Sequence, residues 1–291
     1  MASKAALIVV DMQKDFCPPG GSLAVTGARE TIPLINSLLA SPGFVVKVAT
    51  QDFHPKDHIS FASNHPGPNN KPFESFIKMK NLIANKPDET MMQRLWPDHC
   101  VQGTTGADFV EGLDVKNVDV FVQKGMDSRV EMYSAFSDSF GNLTGGAGGV
   151  NLDLAKTLKE RGVTDVYVVG LAGDYCVKFT ALDAAKSGFE VFVIEDAQRC
   201  VDPDAWTESG HDFAAHGVKV VAVNRIDEFY RQPSELRYTY DLKRNVTPSG
   251  DKQFTTASDY KILYNDWPYG VEEAITHLMV QKIENSVAKM F

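Results

Sequence analysis

Asp11, Lys124 and Cys176 are reactive side chains that each follow a short apolar run in this chain. Asp11 follows Ala6–Val10, Lys124 follows Val118–Val122, and Cys176 follows Val166–Leu171 by way of Ala172-Gly173-Asp174-Tyr175. An amphipathic stretch, Tyr175–Ser187, opens at the cysteine. A thiol in the first turn of a helix meets unpaired backbone N–H groups and the positive end of the helix dipole, which favour the thiolate. The same N–H groups would hold the oxyanion of a tetrahedral intermediate. A nearby carboxylate can take the thiol proton, and an ammonium beside both stabilises the anions. Asp11, Lys124 and Cys176 together therefore read as the machinery for nucleophilic attack on a small amide. Taken singly, Asp11 also reads as a cap or loop anchor, and Lys124 as half of a buried ion pair. None of Cys17, Cys100 and Cys200 combines a helix start with a nearby base, and they read as inert thiols.

A second constellation follows the run Phe44–Ala49. Asp52-Phe53-His54 puts two potential ligands on one side of an extended segment. With the distant His99, in Leu95-Trp96-Pro97-Asp98-His99-Cys100, they would make a mixed nitrogen and oxygen site for a divalent metal, open to water or substrate. The competing reading of so short a spacing is a set of loop hydrogen bonds, which is the preferred reading for His58 and His65. Phe16, Trp96 and Tyr133 read as core aromatics that could also wall a flat ring substrate. Gly145–Gly149 has no Lys-Ser/Thr and follows no strand, so it reads as a turn rather than a phosphate loop.

The elements that must position these groups form a regular series. The runs Ala6–Val10, Phe44–Ala49, Val118–Val122, Val166–Leu171, Val191–Ile194 and Val218–Val223 are almost continuously apolar, as strands covered on both faces are. Amphipathic stretches at Ala28–Ala40, Leu152–Arg161, Tyr175–Ser187 and Ala205–His216 predict helices between them. The expected fold is α/β: a three-layer α/β/α sandwich around a central, mostly parallel six-stranded sheet, plus a C-terminal extension. Ligands of such sheets bind beyond the carboxyl ends of the strands, where the reactive residues fall. Asn64–Gln93, polar and rich in Pro, Asn and Lys, reads as a long excursion from the sheet. The composition turns polar near Gln232, so a hydrolase domain is placed at 1–231 and an extension at 232–291. An aromatic stretch (Tyr260–Tyr269) and a final helix near Val271–Met290 are expected in that extension.

Composition excludes whole classes of partner. A formal net charge of −9 argues against nucleic acid and anionic membrane surfaces. No apolar run approaches the ~20 residues of a membrane span, and the short run before Asp11 reads as a strand rather than a signal. An intracellular, cytoplasmic protein with free thiols is expected, with a homo-oligomer left open.

Together these residues resemble the nicotinamidase/pyrazinamidase branch of the isochorismatase-like cysteine hydrolases. The matching stretches are Leu7–Phe16, Thr50–His54, Trp96–Cys100, Gln123–Gly125 and Gly170–Val177, in family order between Ala5 and Arg225. Phe61–His65 and the excursion look similar to the fungal members. The resemblance implies a catalytic triad of Asp11, Lys124 and Cys176, and a divalent metal, zinc in the commonest case, held by Asp52, His54 and His99. It further implies nicotinamide as the small-molecule substrate, its ring nitrogen on the metal and its ring among Phe16, Trp96 and Tyr133. A cis peptide at Leu171–Ala172 would direct the Ala172 N–H, with that of Cys176, at the carboxamide oxygen. Gly173 departs from the pattern, since Thr or Ser is common there, and the extension lies outside it. The alternatives are another amidase of the superfamily, a catalytically silent binding protein and a thiol redox sensor.

Overall fold

The computed structural model describes residues 4–142 and 149–223. These belong to the first of two units, Met1–Tyr240; the second, Asp241–Phe291, lies outside them. The expected aromatic stretch and final helix of the extension, and most of the glycine-rich turn, therefore fall outside the described residues.

β1 (Ala5–Val10) is apolar at every position and fully buried. A loop carrying two 3-10 turns leads to α1 (Ile32–Ala40) and β2 (Phe44–Asp52). The excursion then contains an antiparallel hairpin, β3 (Phe76–Asn81) with β4 (Lys86–Arg94). β5 (Val120–Lys124), α2 (Leu154–Glu160), β6 (Asp165–Leu171), α3 (Cys176–Lys186), β7 (Glu190–Arg199), α4 (Trp206–Ala215) and β8 (Lys219–Val221) complete the series. Six strands form one sheet in the order β5-β2-β1-β6-β7-β8, and every pairing in it is parallel. Among the described residues no helix is long and apolar enough to cross a membrane.

Side chains alternate across the sheet, which divides the core into two layers. Leu7, Val9, Tyr167, Val169, Phe192 and Ile194 face α1 through Ile35, Leu38 and Leu39. Ile8, Val10, Val48, Val122, Val168 and Val193 face the other way, onto Leu158 of α2, Val177 and Ala181 of α3 and Phe213 of α4. The strands read as continuous apolar runs because both faces are covered. α2 starts where the Asp153 carboxylate accepts a 2.9 Å hydrogen bond from the Lys156 N–H, an N-cap that stabilises a helix by about 1 kcal/mol. The outer edge of β5 is blocked by Asn151: its side chain accepts from the Gln123 N–H at 2.9 Å and donates to the Phe121 carbonyl at 3.2 Å. An edge so occupied offers no template for a further strand.

The hairpin was not foreseen from the residues of the excursion. Its strands carry Lys78, Lys80, Lys86, Asp88 and Glu89 and show no alternating apolar face of useful length. Single buried anchors hold it instead: Met79, Asn81 and Gln93. The sequence-level helix boundaries shift inward in the structure. Ala28–Thr31 is a 3-10 turn preceding α1, and Tyr175 is the residue before α3 rather than part of it.

Where β6 passes β1, Gly170 pairs with Val10 at a φ of +105°. A methyl group there would run into the Val10 backbone, and the conformation is one that L side chains rarely adopt. Gly170→Ala is expected to destabilise the fold by about 3 kcal/mol or more, the upper end for a forced backbone conformation. Denaturant unfolding measures it; an unchanged midpoint would contradict this packing.

Candidate active site

The chain runs from β1 outward through β2 to β5, then returns to the other side of β1 as β6. Sheets of this kind open a crevice at such a reversal, beyond the strand ends. Asp11 leaves β1 there, Asp52 ends β2, Lys124 ends β5, and Cys176 starts α3 after β6. The β2–β5 register sets Asp52 directly opposite Lys124.

Lys124 is fully buried, and its ammonium is the hub. Nζ lies 2.5 Å from Asp52 Oδ1, 2.9 Å from Asp11 Oδ2, 3.5 Å from Cys176 Sγ and 3.2 Å from the Met132 carbonyl. Burial works against its charge, but Asp11 and Asp52 outweigh it and hold the amine well above the ordinary lysine value. Burial pushes the Asp11 carboxyl up to about 6, opposed by Lys124 and reinforced by Asp52. Burial also raises Asp52, but Lys124 and the two histidines prevail and keep it ionised. Cys176 differs from the sequence expectation. Burial pushes its thiol well above the usual range, and Lys124 only moderates this. The resting group is a neutral thiol, and forming the nucleophile requires a base in contact.

Asp52 is shared with a second cluster. Its Oδ2 is 3.6 Å from His54 Nε2 and 4.0 Å from His99 Nε2. His54 Nδ1 is 2.8 Å from the Gly125 carbonyl, and His99 Nδ1 is 2.7 Å from that of Pro97. A carbonyl can only accept, so both Nδ1 atoms carry a proton, and in the neutral rings Nε2 is the nitrogen left to bind a metal beside Asp52. Among the described residues, His54 Nε2 is buried with no hydrogen-bond partner. The ligand atoms of Asp52, His54 and His99 all lie within 4.8 Å of one another. Two carboxylates against one ammonium leave the pocket net negative, which a divalent cation would offset. This donor set therefore fits a metal.

Buried polar contacts brace these ligands. Gln13 accepts from the Asp52 N–H and donates to the Asp52 carbonyl, both at 2.8 Å. Asp15 accepts from the Cys100 N–H at 2.8 Å, fixing the turn after His99 where Cys100 has a φ of +47°. His58 stacks on His54 with ring centroids 4.0 Å apart, but its own nitrogens contact Ser60 Oγ at 2.8 Å and the Val130 carbonyl at 3.2 Å. His65 Nε2 meets the Ile59 carbonyl at 2.7 Å, a loop hydrogen bond. Glu131 is buried beside His54 and His58 and forms a further ligand-capable group with them. A lone glutamate in an irregular segment gave no signal in the sequence.

Aromatic rings gather around Tyr175, the residue before the cysteine. Trp96 and Tyr133 lie edge-on and tilted to Tyr175, at 5.0 and 5.3 Å between centroids. The Tyr133 hydroxyl accepts from Trp96 Nε1 at 3.0 Å and from Gln93 Nε2 at 2.7 Å. Gln93 sits on β4, so the excursion forms part of this wall. Phe16 packs on His99 at 5.4 Å, nearer the metal-competent cluster. Tyr175 and Gln93 were not among the residues singled out beforehand. Behind the cysteine the Leu171–Ala172 peptide is cis. Gly173 stands where a side chain would strike the Gln198 carboxamide and approach Cys200 Sγ to 2.8 Å, which accounts for its departure from Thr or Ser.

A family model described as "Isochorismatase domain" matches residues 5–225, and one described as "Protein of unknown function (DUF3605)" matches 234–286. The chain is 41% identical to a nicotinamidase of Acinetobacter baylyi over 230 residues, 77% of this chain and 95% of the relative. A Leishmania infantum protein, "PnC1 from L. infantum in complex with nicotinate", superposes with a TM-score of 0.62 at 35% identity, over 76% of this chain and 94% of that one. The zinc complex of a pyrazinamidase from Pyrococcus horikoshii superposes at 0.57 with 36% identity, over 75% and 99% of the two chains.

A methyl group on Gly125, whose φ is +65°, would press on the His54 ring, 2.6 Å from Nδ1. If this cluster holds a divalent metal, Gly125→Ala is expected to weaken its binding about tenfold to a hundredfold, as loss of a supporting contact to a ligand does. Equilibrium dialysis against Zn2+ measures this; unchanged affinity would contradict His54 as a ligand.

Proposed function

The chain belongs to the isochorismatase-domain family, and within it we propose a nicotinamidase that hydrolyses nicotinamide to nicotinic acid and ammonia through a thioester on Cys176. One observation carries this reading: a single buried ammonium joins a thiol and its base to a metal-competent Asp-His-His set, with Lys124 Nζ 3.5 Å from Cys176 Sγ and 2.5 Å from Asp52 Oδ1. Amide cleavage needs the first part, and a pyridine ring with a free nitrogen suits the second. The nicotinamidase relative and the nicotinate-bound neighbour support the same substrate.

Asp11 takes the thiol proton and Lys124 steadies both anions as the sulfur attacks the carboxamide carbon. The first-turn N–H of Cys176, which has no intrahelical acceptor, and the N–H of Ala172 receive the oxyanion. Asp11 then passes its proton to the departing nitrogen, ammonia leaves, and water attacks the thioester to release nicotinic acid. Trp96, Tyr133 and Phe16 confine the ring and exclude bulk water. Asp52, His54 and His99 would hold a divalent metal, zinc by analogy with the pyrazinamidase neighbour. When bound, it supplies a Lewis acid that anchors the ring nitrogen. The hydrolase is assigned to 1–231 and a separate extension to 232–291, in keeping with two distinct family matches.

The direct test is ammonia release from nicotinamide by the full chain, with and without chelator. Turnover is expected in wild type, and none in a folded Cys176→Ala variant. Below a pH of about 6 Asp11 already holds a proton and cannot accept another. kcat/KM is therefore expected to fall about tenfold per unit below that point and level off above it. A rate independent of pH between 5 and 7 would remove Asp11 as the base.

A further inference from the structure

Thr50 is fully buried on β2, the strand beside β1. Its Oγ1 accepts the Asp11 backbone N–H at 3.1 Å and stands 2.6 Å from Asp11 Oδ1. A hydroxyl that already accepts from an amide has one proton to give, and here the carboxylate receives it. The two contacts also hold Asp11 at a φ of +47°, a conformation uncommon outside glycine. Being β-branched, Thr50 has few rotamers in which to escape this geometry.

The other carboxylate oxygen is in a different position. Oδ2 is buried and paired with the Lys124 ammonium, whose Nζ is 2.9 Å away. The ammonium is shared with Asp52 Oδ1, the Met132 carbonyl and Cys176 Sγ. A carboxylate oxygen can accept more than one hydrogen bond, so the pair with Lys124 leaves Oδ2 capacity for a further proton donor. The ligand atoms of Asp11 and Cys176 lie within 4.8 Å of each other.

We propose that Thr50 is a positioning residue for the base: its hydroxyl occupies Asp11 Oδ1 and so reserves Oδ2 for the proton of Cys176. In the step this serves, the S–H bond breaks, an Oδ2–H bond forms, and the electron pair left on sulfur becomes the nucleophile. Without the hydroxyl, Oδ1 is a buried acceptor with no donor. The carboxylate then turns toward the nearest alternative, Lys124, and Oδ2 leaves the line to sulfur. The inference rests on the proposed amide hydrolysis for its benefit to turnover, but not for its effect on the thiol.

The test compares Thr50→Val, which keeps shape and removes the hydroxyl, with Thr50→Ser, which restores it. Full-length, zinc-loaded protein is assayed for the rate of iodoacetamide labelling at Cys176 by peptide mapping, for kcat and KM with nicotinamide, and for metal content. Thr50→Val is expected to lower both the labelling rate and kcat about tenfold to a hundredfold, the range found when a supporting hydrogen bond is lost. KM and metal content stay within twofold on the order of assay scatter, and Thr50→Ser recovers most of both rates. A folded Thr50→Val protein that labels and turns over like wild type would overturn the proposal. So would a loss of kcat with labelling unchanged, or a loss that Thr50→Ser does not recover. If Thr50→Val does not fold, Thr50→Cys is judged by the same criteria. Should wild type not hydrolyse nicotinamide, the substrate reading fails, and the labelling arm still decides the role of Thr50.

Discussion

An ammonium with no access to solvent governs this site. Burying Lys124 would be prohibitive without compensation, and Asp11 and Asp52 supply it at 2.9 and 2.5 Å. The compensation has a geometric consequence. Because one cation binds two carboxylates, the ends of β1, β2 and β5 must meet, and the base and the metal-competent cluster become neighbours by necessity. Losing one member of such a set leaves an uncompensated buried charge, which costs about 3–5 kcal/mol. Stability and chemistry thus depend on the same contacts.

The same arrangement sets the state of the proposed nucleophile. Cys176 sits at a helix start beside a cation, a setting that by itself favours the thiolate. Burial outweighs both and keeps the thiol protonated; in the proposed reaction Asp11 takes its proton. Asp11 is suited to this because burial raises it to about 6, high enough to be a useful base and low enough to be ionised near neutrality. Lys124 opposes both upward shifts.

Much of this was legible in the residues. The six parallel strands were visible because strands covered on both faces are continuously apolar, and the reactive residues were visible because they interrupt those runs at one end. Asp52, His54 and His99 come together as the spacing and family resemblance suggested, and Trp96 and Tyr133 share one wall as anticipated. What escaped notice depends on contacts with no periodic signature. The β3–β4 hairpin is pinned by isolated residues such as Met79 rather than by an apolar face. Glu131, Gln93 and Thr50 are polar side chains whose importance comes from the atoms facing them, across separations of 40 residues between Gln93 and Tyr133 and 39 between Thr50 and Asp11. The high resting state of Cys176 was missed for a related reason: a helix start can be read from sequence, whereas the depth of burial around it cannot.

The central claim is that a covalent bond to Cys176 lies on the path of amide cleavage. Acid quenching of a single turnover with nicotinamide, followed by intact-protein and peptide mass spectrometry, tests it most directly. The account predicts an adduct of one nicotinoyl group on Cys176 that appears before free nicotinic acid and decays as the acid is released. Nicotinic acid formed at full rate with no adduct at any time, or with the adduct on another residue, would contradict it.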